Sequence, residues 1–248
     1  MNTPHRIGRA LLGLACLLAL GACTSLPPDP AGAAETAQPG LDNQATYLAL
    51  VRQMQGNGMW FASLAHIDAL EQRWGSTPAT RLLRAQAFRH TGQDAPSAAL
   101  YEQLTGTTER AAALRGLGLL AGTRGDYAEA ATLFQQAREA RPTDGLLLND
   151  LGYAYLMAGR FDAARLPLMQ AQQLLPDHPR VRSNLALYLL TQGDTAAARR
   201  WMDEARLSDA ARSAIEQQAR VLAPASAPSE KTLRMSLRLE NPPAPSTP

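Results

Sequence analysis

A glycine recurs through this chain at a fixed interval, and that interval constrains what the chain can fold into. Gly58, Gly92, Gly125, Gly159 and Gly193 are separated by 34, 33, 34 and 34 residues. Three further columns keep the same register. Seven positions before each glycine stands Val51, Ala85, Gly118, Gly152 or Ala186. Five positions after it stands a small residue, Ser63, Ser97, Ala130, Ala164 or Ala198. Four positions further on the residue is large and apolar: Ile67, Tyr101, Phe134, Leu168 or Met202. Each column has a physical reason. The glycine tolerates the left-handed turn that ends a helix. The small residues let two helices approach closely, and the large residue is expected to fill the groove between repeats. Units of this length cannot bury a core alone, so the copies must stack.

The copy at 145–178 shows the pattern most fully. Leu148, Leu151, Gly152 and Tyr155 recur at helical spacing on one face, and Phe161, Ala164, Leu168 and Ala171 do the same after Gly159. Isolated helices shorter than ~12–15 residues are marginal in water, so this pair needs neighbours. Leu148, Leu151, Gly152, Tyr155, Ala164, Leu168, Ala171 and Pro176 together resemble the signature of the tetratricopeptide repeat (TPR) family. The copy at 111–144 matches with Leu114, Leu117, Gly118, Ala121, Ala130, Phe134, Ala137 and Pro142. The copy at 179–212 keeps Leu185, Ala198 and Ala205 but has Ala210 where proline is usual. Copies at 44–77 and 78–110 are degenerate and hold mainly by register. Pro167 departs from the pattern inside a helix, where it should bend the helix or remove a hydrogen bond.

The resemblance implies an all-α solenoid of about five helix pairs over residues 43–222. A capping helix at Asp209–Leu222 should present Ala211, Ile215, Ala219 and Leu222 to the last apolar face. Ala164 should sit at the close helix contact, whereas Ala154, in a less constrained column, should tolerate a larger side chain.

The two ends read differently. Residues 1–22 carry a basic start at Arg6 and Arg9 and an apolar run, Ala10 to Leu20, too short to span a bilayer. The run ends in Leu20-Gly21-Ala22-Cys23, which resembles the lipobox of bacterial lipoproteins. That resemblance implies cleavage before Cys23 and its acylation; Thr24 rather than Asp after it implies an outer-membrane destination facing the periplasm. Residues 23–42 then read as the lipidated cysteine and a flexible tether containing Pro27, Pro28, Pro30 and Pro39; a flexible chain of this length reaches about 25 Å, and more where proline stiffens it. Residues 223–248 read as a proline-rich disordered tail. Within it Leu233, Met235, Leu237 and Leu239 alternate with Arg234, Ser236 and Arg238, a pattern suited to strand addition on a partner's sheet edge.

Processing also changes the charge. Removing Arg6 and Arg9 from 24 basic residues leaves 22, against 22 acidic ones. A neutral chain gives no electrostatic case for nucleic acid. Cys16 lies in the removed segment, which excludes an intramolecular disulfide in the mature chain.

Catalytic chemistry has no visible foothold. His5, His66, His90 and His178 lack partners at metal-ligand spacing, His178 reading as a solvated loop residue between prolines. Asp150 and Asn149 are helix neighbours and should point to different faces. The chain therefore reads as a binding protein rather than an enzyme, with no cofactor and no metal.

The TPR resemblance implies that the first helix of each pair lines a concave peptide-binding face. Carried over by position, that face comprises Arg52, Gln86, Arg89, Arg115, Leu119, Asn149, Tyr153, Met157, Arg180 and Leu187, with His90, Leu156 and Ser183 beside them. Leu119 and Asp150 replace two polar positions of the chaperone-type carboxylate clamp, so that ligand class is disfavoured. In size, lipobox and the segment Ser183-Asn184-Leu185-Ala186-Leu187 with Gln192-Gly193-Asp194, the chain is most similar to the TadD family of tight-adherence (Flp-type) pilus lipoproteins. That resemblance implies a membrane-anchored scaffold whose partners are proteins of a pilus or secretion machinery, the secretin among them. A secretin pilotin and an accessory regulator of cell-wall hydrolases are the alternatives.

Overall fold

The computed structural model describes residues 43–222. Among them are eleven α-helices and no strand: α1 Gln44–Gly56, α2 Trp60–Trp74, α3 Pro78–His90, α4 Asp94–Leu104, α5 Arg110–Thr123, α6 Tyr127–Ala140, α7 Gly145–Met157, α8 Phe161–Leu174, α9 Pro179–Thr191, α10 Thr195–Glu204 and α11 Asp209–Leu222. The first ten form five antiparallel pairs. Each helix packs on the next, and each first helix also touches the first helix of the following pair. The stretches read from sequence as signal segment, tether and tail, and Cys23, all lie outside the described residues.

The glycine column makes the turns. Gly58, Gly92, Gly125, Gly159 and Gly193 all have φ between 71° and 85°. In every case the residue after the glycine donates its amide to the carbonyl five positions back. Arg160 N to Tyr155 O is 2.8 Å and Asp126 N to Ala121 O is 2.9 Å. This bond satisfies a carbonyl orphaned at the helix end, and the left-handed glycine places the donor without steric cost.

The small column is fully buried, with Ser63, Ser97, Ala130, Ala164 and Ala198 all at 0% exposure. The two serines bury their hydroxyls by donating to backbone carbonyls, Ser63 to Trp60 at 2.7 Å and Ser97 to Ala85 at 2.8 Å. The large column also meets the small residue of its own first helix in two repeats. A Cβ added to Gly118 would lie 2.5 Å from Phe134, and one added to Gly152 would lie 2.5 Å from Leu168. Phe134 and Leu168 therefore fill the contact inside their own helix pair. Tyr101 reaches the next pair, against Gly116 of α5.

Three further residues can be placed. Ala154 is 2% exposed and belongs to the same core as Ala164. Pro167 is buried within α8, which continues through it to Leu174. His178 lies in the loop between α8 and α9 as expected, at the N-cap position of α9 without a side-chain capping bond, but is half-buried rather than fully solvated.

The last helix does not continue the stack. Its first turn is tied to the end of α10 by Arg212, which donates to Leu207 O at 2.8 Å and Met202 O at 3.0 Å and pairs with Asp203. Its body packs on α9. Ile215 and Ala219 are its buried residues.

Candidate functional site

The first helices of the pairs share one side, and their outward positions form two adjoining depressions. The first, of about 360 Å³, lies among α1, α3 and α5 and is lined by Arg52, Gln86, Arg89, Tyr101, Arg115 and Leu119. A smaller recess beside it adds Trp60 and His90. The second depression, of about 460 Å³, lies among α5, α7, α9 and α11. Leu119, Tyr127, Phe134, Asn149, Asp150, Tyr153, Arg180 and Gln218 line it. Leu119 borders both, so the two are halves of one surface.

The two halves differ in chemistry. The first is rich in guanidinium groups. Arg52 is exposed, and Arg89 approaches His90 Nε2 at 2.7 Å. The His90 ring stacks on Trp60 with centroids 3.6 Å apart and an interplanar angle of 4°. Burial, and secondarily the charge of Arg89, push the His90 pKa down to about 4, so its ring is neutral near pH 7. A neutral ring can accept a hydrogen bond from Arg89, which turns the guanidinium toward the recess.

The second half is aromatic and amide-lined. Tyr127 meets Tyr153 edge to face at 6.3 Å. Burial and the neighbouring Tyr153 raise the Tyr127 pKa, so the hydroxyl remains a donor. Asp150 forms the floor at 6% exposure and accepts from Arg115 Nε and Nη2, with Arg180 Nη1 at 3.8 Å on its other oxygen. Asn184 Nδ2 donates to Asn149 Oδ1 at 2.9 Å. This arrangement can hold a peptide by ring contact and by fixed donors and acceptors.

Of the residues expected on this face, Arg52, Gln86, Arg89, Arg115, Leu119, Tyr153 and Arg180 line the two depressions. Three differ. Asn149 reaches the lining but is 1% exposed, because its amide oxygen is taken up by Asn184. Leu187 is 1% exposed and sits in one core with Ile215 and Ala219, because α11 covers this end of the face. Met157 is partly buried, its sulfur 3.2 Å from Gln218 Nε2. Leu156 is likewise fully buried.

Asn149 and Asp150, expected on different faces, both line the second depression. Asp150, Asn184, Tyr127 and Gln218 were not among the expected site residues. Asp150 and Asn184 could have been found, since each lies 35 residues beyond its partner, one repeat plus one. Gln218 has no such signal. Among the described residues no group of three or more His, Cys, Asp or Glu is placed to hold a metal ion. No described helix is long and apolar enough to cross a membrane.

Comparison with known proteins is consistent with this geometry. The family model described as tetratricopeptide repeat matches residues 115–174 and 169–215. The chain is 32% identical over 213 residues to TPR repeat-containing protein PA4299 of Pseudomonas aeruginosa, covering 86% of this chain and 85% of that protein. It is also 32% identical over 190 residues to cellulose synthase 2 operon protein C of Komagataeibacter xylinus, spanning only 14% of that protein's length. A thermophilic TPR protein of Thermus thermophilus superposes with a TM-score of 0.54 at 20% identity, over 73% of this chain and 98% of that one. MamA of Desulfovibrio magneticus superposes with a TM-score of 0.53 at 14% identity, over 66% and 94%. At such identities the structural likeness speaks for the fold alone.

Proposed function

The chain belongs to the tetratricopeptide-repeat family, and on that premise we propose that it is a lipid-anchored periplasmic scaffold in tight-adherence (Flp-type) pilus assembly. The observation that carries the scaffold reading is the lined face itself. From Arg52 to Arg180 the first helices present guanidinium, amide and aromatic groups along one continuous surface, while their other sides are taken up by packing. A surface of this kind has the chemistry to recognise a segment of a partner protein. Leu20-Gly21-Ala22-Cys23 supports the anchor, and the resemblance to TadD-type lipoproteins supports the pilus system and the secretin as partner.

Arg52 and Arg180 test this reading with little risk to the fold, because both side chains are exposed and stand at opposite ends of the surface. The chain carrying Arg52→Ala and Arg180→Ala should keep its helicity. It should capture the secretin from solubilised outer membranes at least about tenfold less well, since interface arginines often carry over ~1 kcal/mol each. Undiminished capture by the folded double variant moves the binding surface elsewhere. Failure of the unaltered chain to capture the secretin removes the pilus assignment.

A further inference from the structure

The helix α11 lies where a ligand would lie. A terminal helix that simply continued the stack would pack on α10 as α9 packs on α8. Instead α11 leaves α10 through Arg206, a non-glycine residue held at φ 52°, and packs on α9. From there Gln218 crosses to α7 and donates to the Tyr153 hydroxyl at 3.0 Å and to Met157 Sδ at 3.2 Å. Those two residues and Leu187, now buried beneath α11, are three of the positions at which TPR helices are expected to meet a ligand.

We infer that the face of α7 and α9 is a helix-receiving site which α11 fills in cis, and that a partner's amphipathic helix binds there by replacing α11. This deepens the scaffold reading by naming the kind of segment the second half of the surface accepts.

Two observations make replacement reasonable. First, α11 buries little apolar surface: Ile215 and Ala219 are its buried side chains, as few as in α10, and the rest of its hold is the polar contacts of Arg212 and Gln218, whereas α7 buries ten residues from Gly145 to Leu156. Elements with few buried apolar contacts open at lower free energy than the rest of a structure. The left-handed conformation of Arg206 adds backbone strain at the hinge. Second, α11 is an incomplete occupant. The 460 Å³ depression remains open beside Gln218, walled by Leu119, Tyr127 and Tyr153. A partner helix with an aliphatic residue at the Ile215 position, a small one at the Ala219 position and an aromatic ring in place of Gln218 would keep the contacts of α11 and fill that space.

The probe is the chain's own helix, a labelled peptide of residues 207–222, titrated against the full chain in detergent. A second full-length chain carries Ile215→Ser and Ala219→Ser, which weaken α11 without touching α7 or α9. The peptide should bind the weakened chain at least about tenfold more tightly than the unaltered one, because the cis helix lowers the fraction of open sites. Amide exchange on the unaltered chain should show α11 opening while α7 and α9 stay protected. Equal peptide affinity for the two chains, no binding to a folded weakened chain, or α11 amides as protected as those of α9 would each overturn the inference. Should the weakened chain fail to fold, the exchange result on the unaltered chain decides. None of these measurements involves the secretin, so the outcome is separate from that of the partner assignment.

Discussion

Arg115 directs both Nε and Nη2 at a single oxygen of Asp150, at 2.9 and 2.7 Å, from one repeat to the next. The same offset, one repeat plus one residue, brings Asn184 to Asn149 at 2.9 Å. Position five of one first helix thus meets position six of the following one, twice in succession. These pairs fix the register between neighbouring repeats where the lining is most polar, and they set the floor of the second depression.

Removing Arg115 leaves a carboxylate at 6% exposure with only Arg180, 3.8 Å away, as cationic partner. Arg115→Met should cost ~2–3 kcal/mol at neutral pH, since the penalty is the unpaired buried charge rather than the lost attraction. Restoring neutrality with Asp150→Asn in the same chain should recover part of that loss. Urea denaturation of the two single variants and the double variant measures the coupling. Strict additivity would show that the pair does not act as a unit.

Two glycines of α5 should respond oppositely to alanine. Gly118 has no space, since an added Cβ would lie 2.5 Å from the Phe134 ring, and Gly118→Ala should lose ~1–3 kcal/mol through overpacking. Gly122, one turn later, has nothing within 4 Å, and Gly122→Ala should gain about 0.5–1 kcal/mol from helix propensity. Thermal melts of the two variants should therefore move in opposite directions.

Glu71 should make the α2–α3 junction acid-sensitive. Burial opposes its ionisation, but hydrogen bonds from Thr80, Arg84 and Ser76 and the charge of Arg84 outweigh burial and hold its pKa below the ordinary 4.5. The folded value lies below the unfolded one, so this contribution is present in full above 4.5. It is lost as pH falls through the lowered folded value. Glu71→Gln should accordingly be less stable than the unaltered chain near neutrality, with the gap closing at acid pH. A gap that stays constant across the acid limb would show that ionised Glu71 is not the source.

Cys23→Ser tests the anchor. Diacylglycerol and an amide-linked chain would bury dozens of methylenes at about 0.8 kcal/mol each, enough to make release negligible. The variant should incorporate no labelled palmitate and should leave the membrane fraction. Labelling that persists in Cys23→Ser places the acyl group elsewhere.

Local rules made much of this fold readable. The glycines with φ of 71–85° terminate the first helices, and the small column stays at 0% exposure wherever it falls. Both features depend on the residue itself and on its spacing, which is why the five pairs and the limits of α11, Asp209–Leu222, could be drawn from sequence. The lining was half legible. Arg52, Arg89, Leu119, Tyr153 and Arg180 reach the surface because their helix face is set by repeat position.

The rest depended on what each residue meets across space. Ala154 and Ala164 look unequal as columns of a pattern, yet both are buried, because burial is decided by the helix opposite. Asn149 lines the second depression yet is 1% exposed, its amide oxygen held by Asn184 of the next repeat. The course of α11 is the clearest case. The sequence by itself determines that Asp209–Leu222 is an amphipathic helix, through apolar spacing that any such helix would share. Whether Ile215 and Ala219 close the end of the stack or lie over Leu187 is decided by a single left-handed residue, Arg206, and by the contact of Gln218 with Tyr153. Periodicity specifies which face of a helix is apolar; only the tertiary structure specifies what that face covers.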